Sequence, residues 1–316
     1  MSDVRWGFLG AGFVASRGVA PVVHQARNAV LQVVGARDVA RAQALEPVRA
    51  VATYDEVLAA DDVDAVYISL PNSDHLPWVV AALDAGKHVL CEKPLALDAE
   101  QVADMTAASE RNGVHLVEAS WNRWHPRTRR AQDIVSQVTG EFDIRTWFTF
   151  SGVPDDNYRL DPRRGGGALL DVGVYAIAAA MMGLGPDVTV VDATRDLGAT
   201  GVDLTTTATL ASGRGRASVL GSFVQPESQG WTMSAPGLTV EVPHPAFTSW
   251  RETSSLHVVE DGIERDESFE PCDAYGLMVE AVSARILGED AWCLPLSTSL
   301  AVAGVVDEVA RLSAAS

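Results

Sequence analysis

The sequence predicts an α/β protein of two domains: a parallel, doubly wound domain over residues 1–121, then an α/β domain over 122–316 built on an open, mainly antiparallel sheet. Three observations carry this. Short apolar strands alternate with helices through about residue 120, the pattern of a parallel sheet covered on both faces. Beyond Trp121 the alternation gives way to longer β-branched or alternating segments, the pattern of an antiparallel sheet. The length, 316 residues with 47% hydrophobic side chains, exceeds one typical domain and supplies apolar surface for two cores.

The chain opens on an apolar strand, residues 4–9, and runs into Gly10-Ala11-Gly12-Phe13-Val14-Ala15. This GxGxxA turn at the start of a helix is a dinucleotide-binding pattern. Gly10 makes the tight turn, Gly12 lets the backbone approach a pyrophosphate, and small Ala15 lets helix and strand pack closely, while free N–H groups face the phosphates. A second apolar run, 29–35, closes a βαβ unit of the expected length. Pro21 cannot continue one long helix, so a kink or two short segments are expected between residues 13 and 26. Gly35-Ala36-Arg37-Asp38 follows. An NAD enzyme usually keeps a carboxylate here for the adenosine ribose, whereas Arg37 offers a planar fork for a 2'-phosphate, which favours NADP over NAD. Asp38 is placed to cap the next helix.

Tyr54-Asp55 opens a helix, and residues 63–70 read as a buried parallel strand ending at Pro71-Asn72-Ser73-Asp74-His75. Ligands collect at such carboxyl ends. A helix through Ala82, stopped by Gly86, leads to His88-Val89-Leu90-Cys91, a strand that delivers Glu92 and Lys93 before Pro94 ends it. Lys93 is one of only two lysines, with Lys87, among 24 basic residues. An arginine there would stay charged, whereas a lysine can shift its pKa and join proton chemistry. Asp98 caps a helix that runs to about Asn112-Gly113, and a strand at 115–119 completes the sheet.

In the second domain a helix is expected over 126–137, and strands at 143–150, 188–195, 204–211, 216–224, 238–242 and 256–259. Between the first two strands lies Gly165-Gly166-Gly167-Ala168-Leu169-Leu170-Asp171-Val172-Gly173-Val174-Tyr175, a glycine-rich loop entering an apolar helix. Asp171 and Tyr175, four apart, share a face of that helix. The apolar stretch 167–185 is interrupted by Asp171 and reads as a buried helix, not a membrane span.

Composition limits the partners. A formal net charge of −18 argues against nucleic acid or an anionic membrane surface, both of which attract basic patches. Cys91, Cys272 and Cys293 are far apart, so neither a disulfide framework nor a metal site is expected, and a reducing, cytoplasmic setting follows. The chain enters its first strand by Val4 with no charged leader, so no signal peptide is expected.

GAGFVA, GARD, DAVYISLPNSDH, AGKHVLCEKPLALD, EASWNRWHP and GGGALLDVGVY occur in this order over nearly the whole chain. Together they resemble the Gfo/Idh/MocA oxidoreductase family, and within it the dihydrodiol dehydrogenase and NADP-dependent xylose dehydrogenase branch. The resemblance implies a Rossmann domain followed by an α/β domain whose open sheet forms a homodimer. It implies that Gly10, Gly12, Phe13 and Val14 line the pyrophosphate turn, Arg37 the adenosine phosphate, and Leu70, Asn72 and His75 the stretch toward the nicotinamide. Glu92 would sit by the nicotinamide ribose with Lys93 facing a small sugar-like substrate, Trp121 and Arg123 would wall the pocket, and Asp171 and Tyr175 would complete it. Many members, the inositol dehydrogenases included, have histidine where this chain has Tyr175, which favours the branch in which tyrosine serves. Ser120, Asn122 and Trp124 depart from that branch, so the resemblance names no particular sugar.

Hydride transfer at a carbinol carbon needs a base for the O–H proton, and the reverse reaction needs an acid at the carbonyl oxygen. A phenol with a pKa of about 10 is a poor base at neutral pH, and a neighbouring ammonium favours its ionised form. Lys93 would give Tyr175 that help across the cleft between the domains. Two other functions use the same fold: an NADP-binding redox sensor without turnover, and an enzyme that retains and recycles its nicotinamide during glycoside cleavage or epimerisation. The homodimer is expected also because a sheet face without helices must hide its apolar side chains.

Overall fold

A computed structural model describes residues 3–314, which divide into two units. In the first, strands β1 (Val4–Leu9), β2 (Ala29–Gly35), β3 (Arg49–Val51), β4 (Ala65–Ile68), β5 (His88–Cys91) and β6 (Leu116–Glu118) form a parallel sheet in the order β3-β2-β1-β4-β5-β6. The order reverses at β1, and ligands of such sheets bind in the crevice beyond the carboxyl ends there. β4, Ala-Val-Tyr-Ile, is buried at every position, as a strand covered on both faces must be. β3 was not legible because its three residues are half-buried or exposed and make no apolar run.

The helices between these strands are α1 (Ala20–Val23), α2 (Val39–Gln43), α3 (Tyr54–Leu58), α4 (His75–Asp84) and α5 (Ala99–Asn112). Local chemistry fixes their ends. Thr53 and Glu56 form a reciprocal capping box for α3, Asp98 accepts from Gln101 N at 2.8 Å to start α5, and Gly113 ends α5 at φ 64°. The break expected from Pro21 takes a definite form. A π-helical turn over Ala15–Val19 precedes α1, which places Pro21 in a first turn where its missing N–H costs nothing.

The second unit begins with α6 (Pro126–Ser136) and β7 (Phe142–Thr149), and continues through α7 (Val174–Leu184), β8 (Thr189–Leu197), β9 (Asp203–Ser212), β10 (Gly215–Ser222), β11 (Ser228–Ala235), β12 (Leu238–Val242), β13 (Ser254–Glu260) and β14 (Ile263–Phe269). Its sheet runs β14-β13-β12-β11-β7-β10-β9-β8, with β7 and β10 parallel and every other pair antiparallel. The helix leading into α7 crosses β10 closely, because a Cβ on Gly221 would stand 2.9 Å from the Gly173 Cα. Trp231 Nε1 donates to Ala179 O at 3.0 Å and ties β11 to α7. Pro162–Leu184 is long and apolar enough to cross a membrane, yet 78% of its most apolar window is buried inside the protein, as expected of a core helix.

β11 and β14 were not anticipated. Gly230 breaks the pattern of β11, and it is glycine because the Trp147 indole lies over it, only 2.1 Å from where a Cβ would be. β14, IERDESF, is a mostly exposed edge strand whose charges oppose edge-to-edge association. The open face also differs from expectation. Ile144, Phe148, Ala217 and Val219 belong to the core, so the alternate positions Asp143, Arg145, Trp147, Arg216, Ser218 and Leu220 turn away from it. That face is largely polar, so it has little apolar surface to hide.

The sequence predicts one boundary after residue 121 and gives all that follows to the second domain. The structure instead extends the first unit to Trp124 and returns Asp273–Leu300 to it. The physical reason is α8 (Ala274–Ile286), started by Asp273, whose side chain accepts from Tyr275 N at 3.1 Å. Tyr275 stacks on Trp121 with ring centroids 4.4 Å apart, and Trp6 Nε1 donates to Ser283 Oγ at 3.1 Å. α9 (Leu296–Ser313) follows, and Val302, Val305, Val306 and Val309 join the core of the second unit.

Candidate active site

At the carboxyl end of β1 the two glycines have different reasons to be there. Gly10 has φ +100°, and a Cβ would stand 2.7 Å from Ser69 O, so the fold itself requires glycine. At Gly12 a Cβ would meet only Ser69, at 3.8 Å, so the protein leaves that space open for a group approaching the backbone. Phe13 beside it is 77% exposed, and Val14 is half-buried. At the end of β2, Asp38 caps α2 by accepting from Ala40 N at 3.0 Å, and exposed Arg37 makes no hydrogen bond or ion pair among the described residues. Arg41 Nη2 donates to Ala11 O at 2.8 Å, which ties α2 to the glycine turn. Tyr54 meets Trp78 edge-on at 5.0 Å; burial raises its phenol pKa, and Arg37 and Arg41 oppose that rise. Two guanidinium groups beside an aromatic pair and a bare-backbone cradle fit the adenosine phosphate and pyrophosphate of a dinucleotide.

Further along the same sheet edge, β5 ends in a buried acid. Glu92 is 8% exposed, its N–H donates to Ile68 O at 3.0 Å, and its carboxylate accepts from Tyr67 Oη at 2.7 Å. Burial pushes the Glu92 carboxyl up to about 6, against the opposing effects of the Tyr67 hydrogen bond and the Lys93 charge. Lys93, next in the chain, is half-buried. Glu118, at the end of β6, is raised by burial too, and it accepts from Ser299 Oγ while the charge of Arg123 holds it back.

Leu70 is half-buried and Asn72 is buried in the loop after β4. His75 is wholly buried, with Nδ1 3.0 Å from Pro94 O and Nε2 3.1 Å from Leu70 O. It braces the loop after β4 against the Glu92-Lys93-Pro94 stretch, and a side chain with no exposed surface cannot itself touch a dinucleotide. Trp121 and Arg123 are 4% and 7% exposed; Tyr275 stacks on a ring face of the one and Glu118 neighbours the other.

In the second unit the glycine run exists for packing. A Cβ on Gly166 would stand 2.5 Å from Arg159 O, and Gly167, at φ +115°, faces Asp203. Asp203 in turn accepts from Leu169 N at 2.7 Å and from Thr206 Oγ1 at 2.6 Å, which anchors the helix start. Asp171 lies in the π-helical turn Leu169–Gly173, 9% exposed, and accepts from Arg159 Nε at 2.6 Å. Half-buried Tyr175 follows in α7, its ring 5.6 Å from Phe148 and 5.9 Å from Phe247. Burial opposes the charge of Arg159, and Asp171 is the strongest influence favouring it.

Residues 4–120 match the model of the oxidoreductase family with an NAD-binding Rossmann fold, and residues 134–240 match the GFO/IDH/MocA carboxyl-terminal domain. The D-xylose 1-dehydrogenase (NADP(+)) 2 of Haloferax volcanii is 37% identical over 292 residues, 90% of this chain and 89% of the relative. The chain belongs to the GFO/IDH/MocA oxidoreductase family. It is an NAD(P)-dependent oxidoreductase. The trans-1,2-dihydrobenzene-1,2-diol dehydrogenase of Mus musculus is 34% identical over 184 residues, 55% of this chain and 54% of the relative. A crystal structure of a 3-ketoreductase from Actinomadura kijaniata, in complex with NADP and TDP-benzene, is 27% identical, superposes with a TM-score of 0.92 and covers 98% of both chains.

Three residues that hold candidate residues or their turn in place, two in the first unit and one in the second, escaped the sequence. Tyr67 reads as one more apolar residue of a buried strand, Arg41 as a solvated helix cation, and Arg159 as one of three arginines ahead of a glycine run. Each gains its meaning from a partner 12 to 30 residues away.

Proposed function

We propose that this chain transfers a hydride between NADP(H) and a carbinol or carbonyl carbon of a sugar or sugar-like ring, with Lys93 and Tyr175 as its acid–base pair. The observation that carries the reading is the placement of Tyr175 one turn after Asp171 in the helix that follows the glycine run, with Asp171 held by Arg159 Nε at 2.6 Å. Support comes from the xylose dehydrogenase and the 3-ketoreductase, both NADP proteins by name or bound ligand.

The dinucleotide, when bound, supplies the two-electron acceptor or donor. Gly12, Phe13 and Val14 hold its pyrophosphate, Arg37 and Arg41 its adenosine phosphate, and Glu92 its nicotinamide ribose, with Leu70 and Asn72 on the way. In the oxidising direction Tyr175 Oη takes the substrate O–H proton, and the Lys93 ammonium favours the ionised phenol that can accept it. In the reducing direction the same phenol returns a proton to the carbonyl oxygen. Asp171 orients the substrate hydroxyls with Tyr175. A panel of free pentoses and hexoses and of nucleotide-linked sugars, assayed in both directions, tests the substrate class; turnover of none of them with either cofactor would contradict it.

Arg37→Ala is expected to narrow the preference for NADP(H) over NAD(H), because a charge-assisted phosphate contact is worth about 1.5–3 kcal/mol. Titration of both cofactors into both proteins measures this, and equal affinities in the unmutated protein would sink it. For assembly we propose a homodimer through the open sheet, a reading that rests on the family resemblance, since the outer face of the sheet is largely polar. Sedimentation at micromolar concentration is expected to show a dimer that Trp147→Asp weakens; a monomer would count against it.

A further inference from the structure

β4 lies against β1, the strand at which the sheet order reverses, and Ser69 is the first residue beyond β4. Its N–H donates to Leu9 O at 3.1 Å, so a backbone bond between the two strand ends fixes its place. From there Ser69 meets both glycines of the first turn, with a different atom for each. Its carbonyl oxygen is 2.7 Å from where a Cβ on Gly10 would be, and its hydroxyl oxygen is 3.8 Å from where a Cβ on Gly12 would be. The carbonyl enforces one glycine, whereas the hydroxyl faces the space left open by the other.

The Cβ position of Gly12 marks the side from which a group can approach its bare backbone. Apart from the neighbours of Gly12 in the chain, Ser69 is the one residue within 4 Å of that position among the described residues. A pyrophosphate oxygen that takes up this space comes within reach of the Ser69 hydroxyl, which belongs to a half-buried residue. A hydroxyl is a rotatable donor, and a hydrogen bond to an ionised acceptor is stronger than one to a neutral oxygen. Within the protein the competing acceptor is the phenol of Tyr67, two residues earlier on the same face, near enough for the Ser69 hydroxyl to act on it. Tyr67 Oη gives its own proton to Glu92 at 2.7 Å and is a neutral oxygen, so an anionic phosphate is the stronger claim on Ser69.

We propose that Ser69 is a cofactor-binding residue, whose hydroxyl donates to a pyrophosphate oxygen of NADP(H) over Gly12. It adds a side-chain donor to a cradle otherwise built from bare backbone. This rests on the reading of the glycine turn as the pyrophosphate site.

The test is calorimetric titration of three ligands into the unmutated protein and Ser69→Ala. NADPH is the whole dinucleotide, adenosine 2'-phosphate 5'-diphosphate ends at the pyrophosphate, and adenosine 2'-phosphate lacks it. Ser69→Ala is expected to bind the first two about tenfold more weakly and the third with unchanged affinity, at a melting temperature close to that of the unmutated protein. Ser69→Cys, which keeps the shape with only a weak donor, is expected to match it. Unchanged affinity for all three ligands would overturn the proposal. An equal loss for adenosine 2'-phosphate would do so too, by showing a general distortion of the turn. A loss confined to NADPH would also overturn it, by moving the effect to the nicotinamide end through Tyr67 and Glu92. Failure of the unmutated protein to bind the diphosphate more tightly than the monophosphate would instead overturn the reading of the turn itself, so the two failures are distinguishable.

Discussion

Lys93→Met and Tyr175→Phe are each expected to lower turnover by on the order of a hundred- to ten-thousandfold, the range for loss of general acid–base assistance. NADP(H) affinity is expected to stay within about twofold of the unmutated value, since neither side chain is proposed to hold the adenosine or pyrophosphate. Lys93 follows Glu92, whose carboxylate stays in place through Tyr67 Oη and a backbone bond to Ile68 O, so its loss should not dislodge the strand end. Tyr175→Phe keeps the ring against Phe148 and Phe247, so it removes the hydroxyl and little packing. If Lys93 acts through the ionised phenol of Tyr175 as proposed, Lys93→Met with Tyr175→Phe should be little worse than the worse single variant, as for residues that work as a unit. Multiplicative losses in the double variant, or full activity in either single one, would contradict the pairing.

The second large effect concerns the glycine turn, where the structure separates binding from folding. Gly12→Val should leave the melting temperature close to that of the unmutated protein, because the space beyond Gly12 is open. It should lower NADPH affinity by about tenfold or more, each factor of ten being about 1.4 kcal/mol. Gly10→Ala should damage both, since a left-handed backbone costs a non-glycine residue about 1–3 kcal/mol and the Cβ would also press on Ser69 O. Calorimetric titration and thermal unfolding of the two variants give the comparison. Retained affinity in Gly12→Val would show that the pyrophosphate does not approach there.

The strand ends were legible because they depend on local signals. Alternation marked the parallel sheet, glycine spacing marked the first turn, and Glu92-Lys93-Pro94 announced itself by a rare lysine at a strand end. What stayed hidden depends on partners distant in the chain. No local pattern shows that α8 packs Tyr275 on Trp121, that His75 braces two loops from a wholly buried position, or that Tyr67 turns its hydroxyl to Glu92. The same limit explains the sheet face: alternation revealed strands but not that Asp143, Arg145 and Arg216 occupy the side away from the core. Arg159 is the clearest case, since only the fold of the glycine run shows which of Arg159, Arg163 and Arg164 meets Asp171.

The central claim is net hydride transfer to a cofactor that exchanges with solution, and the most direct measurement of it is stoichiometry. A sugar substrate found in the panel, supplied in limiting amount with excess NADP and purified protein, is followed for oxidised sugar and for NADPH in the same vessel. One NADPH released for each sugar oxidised, lost in Tyr175→Phe, is the expected result. Consumption of sugar with no accumulation of NADPH would instead mark an enzyme that recycles its nicotinamide within each turnover, and would contradict the claim.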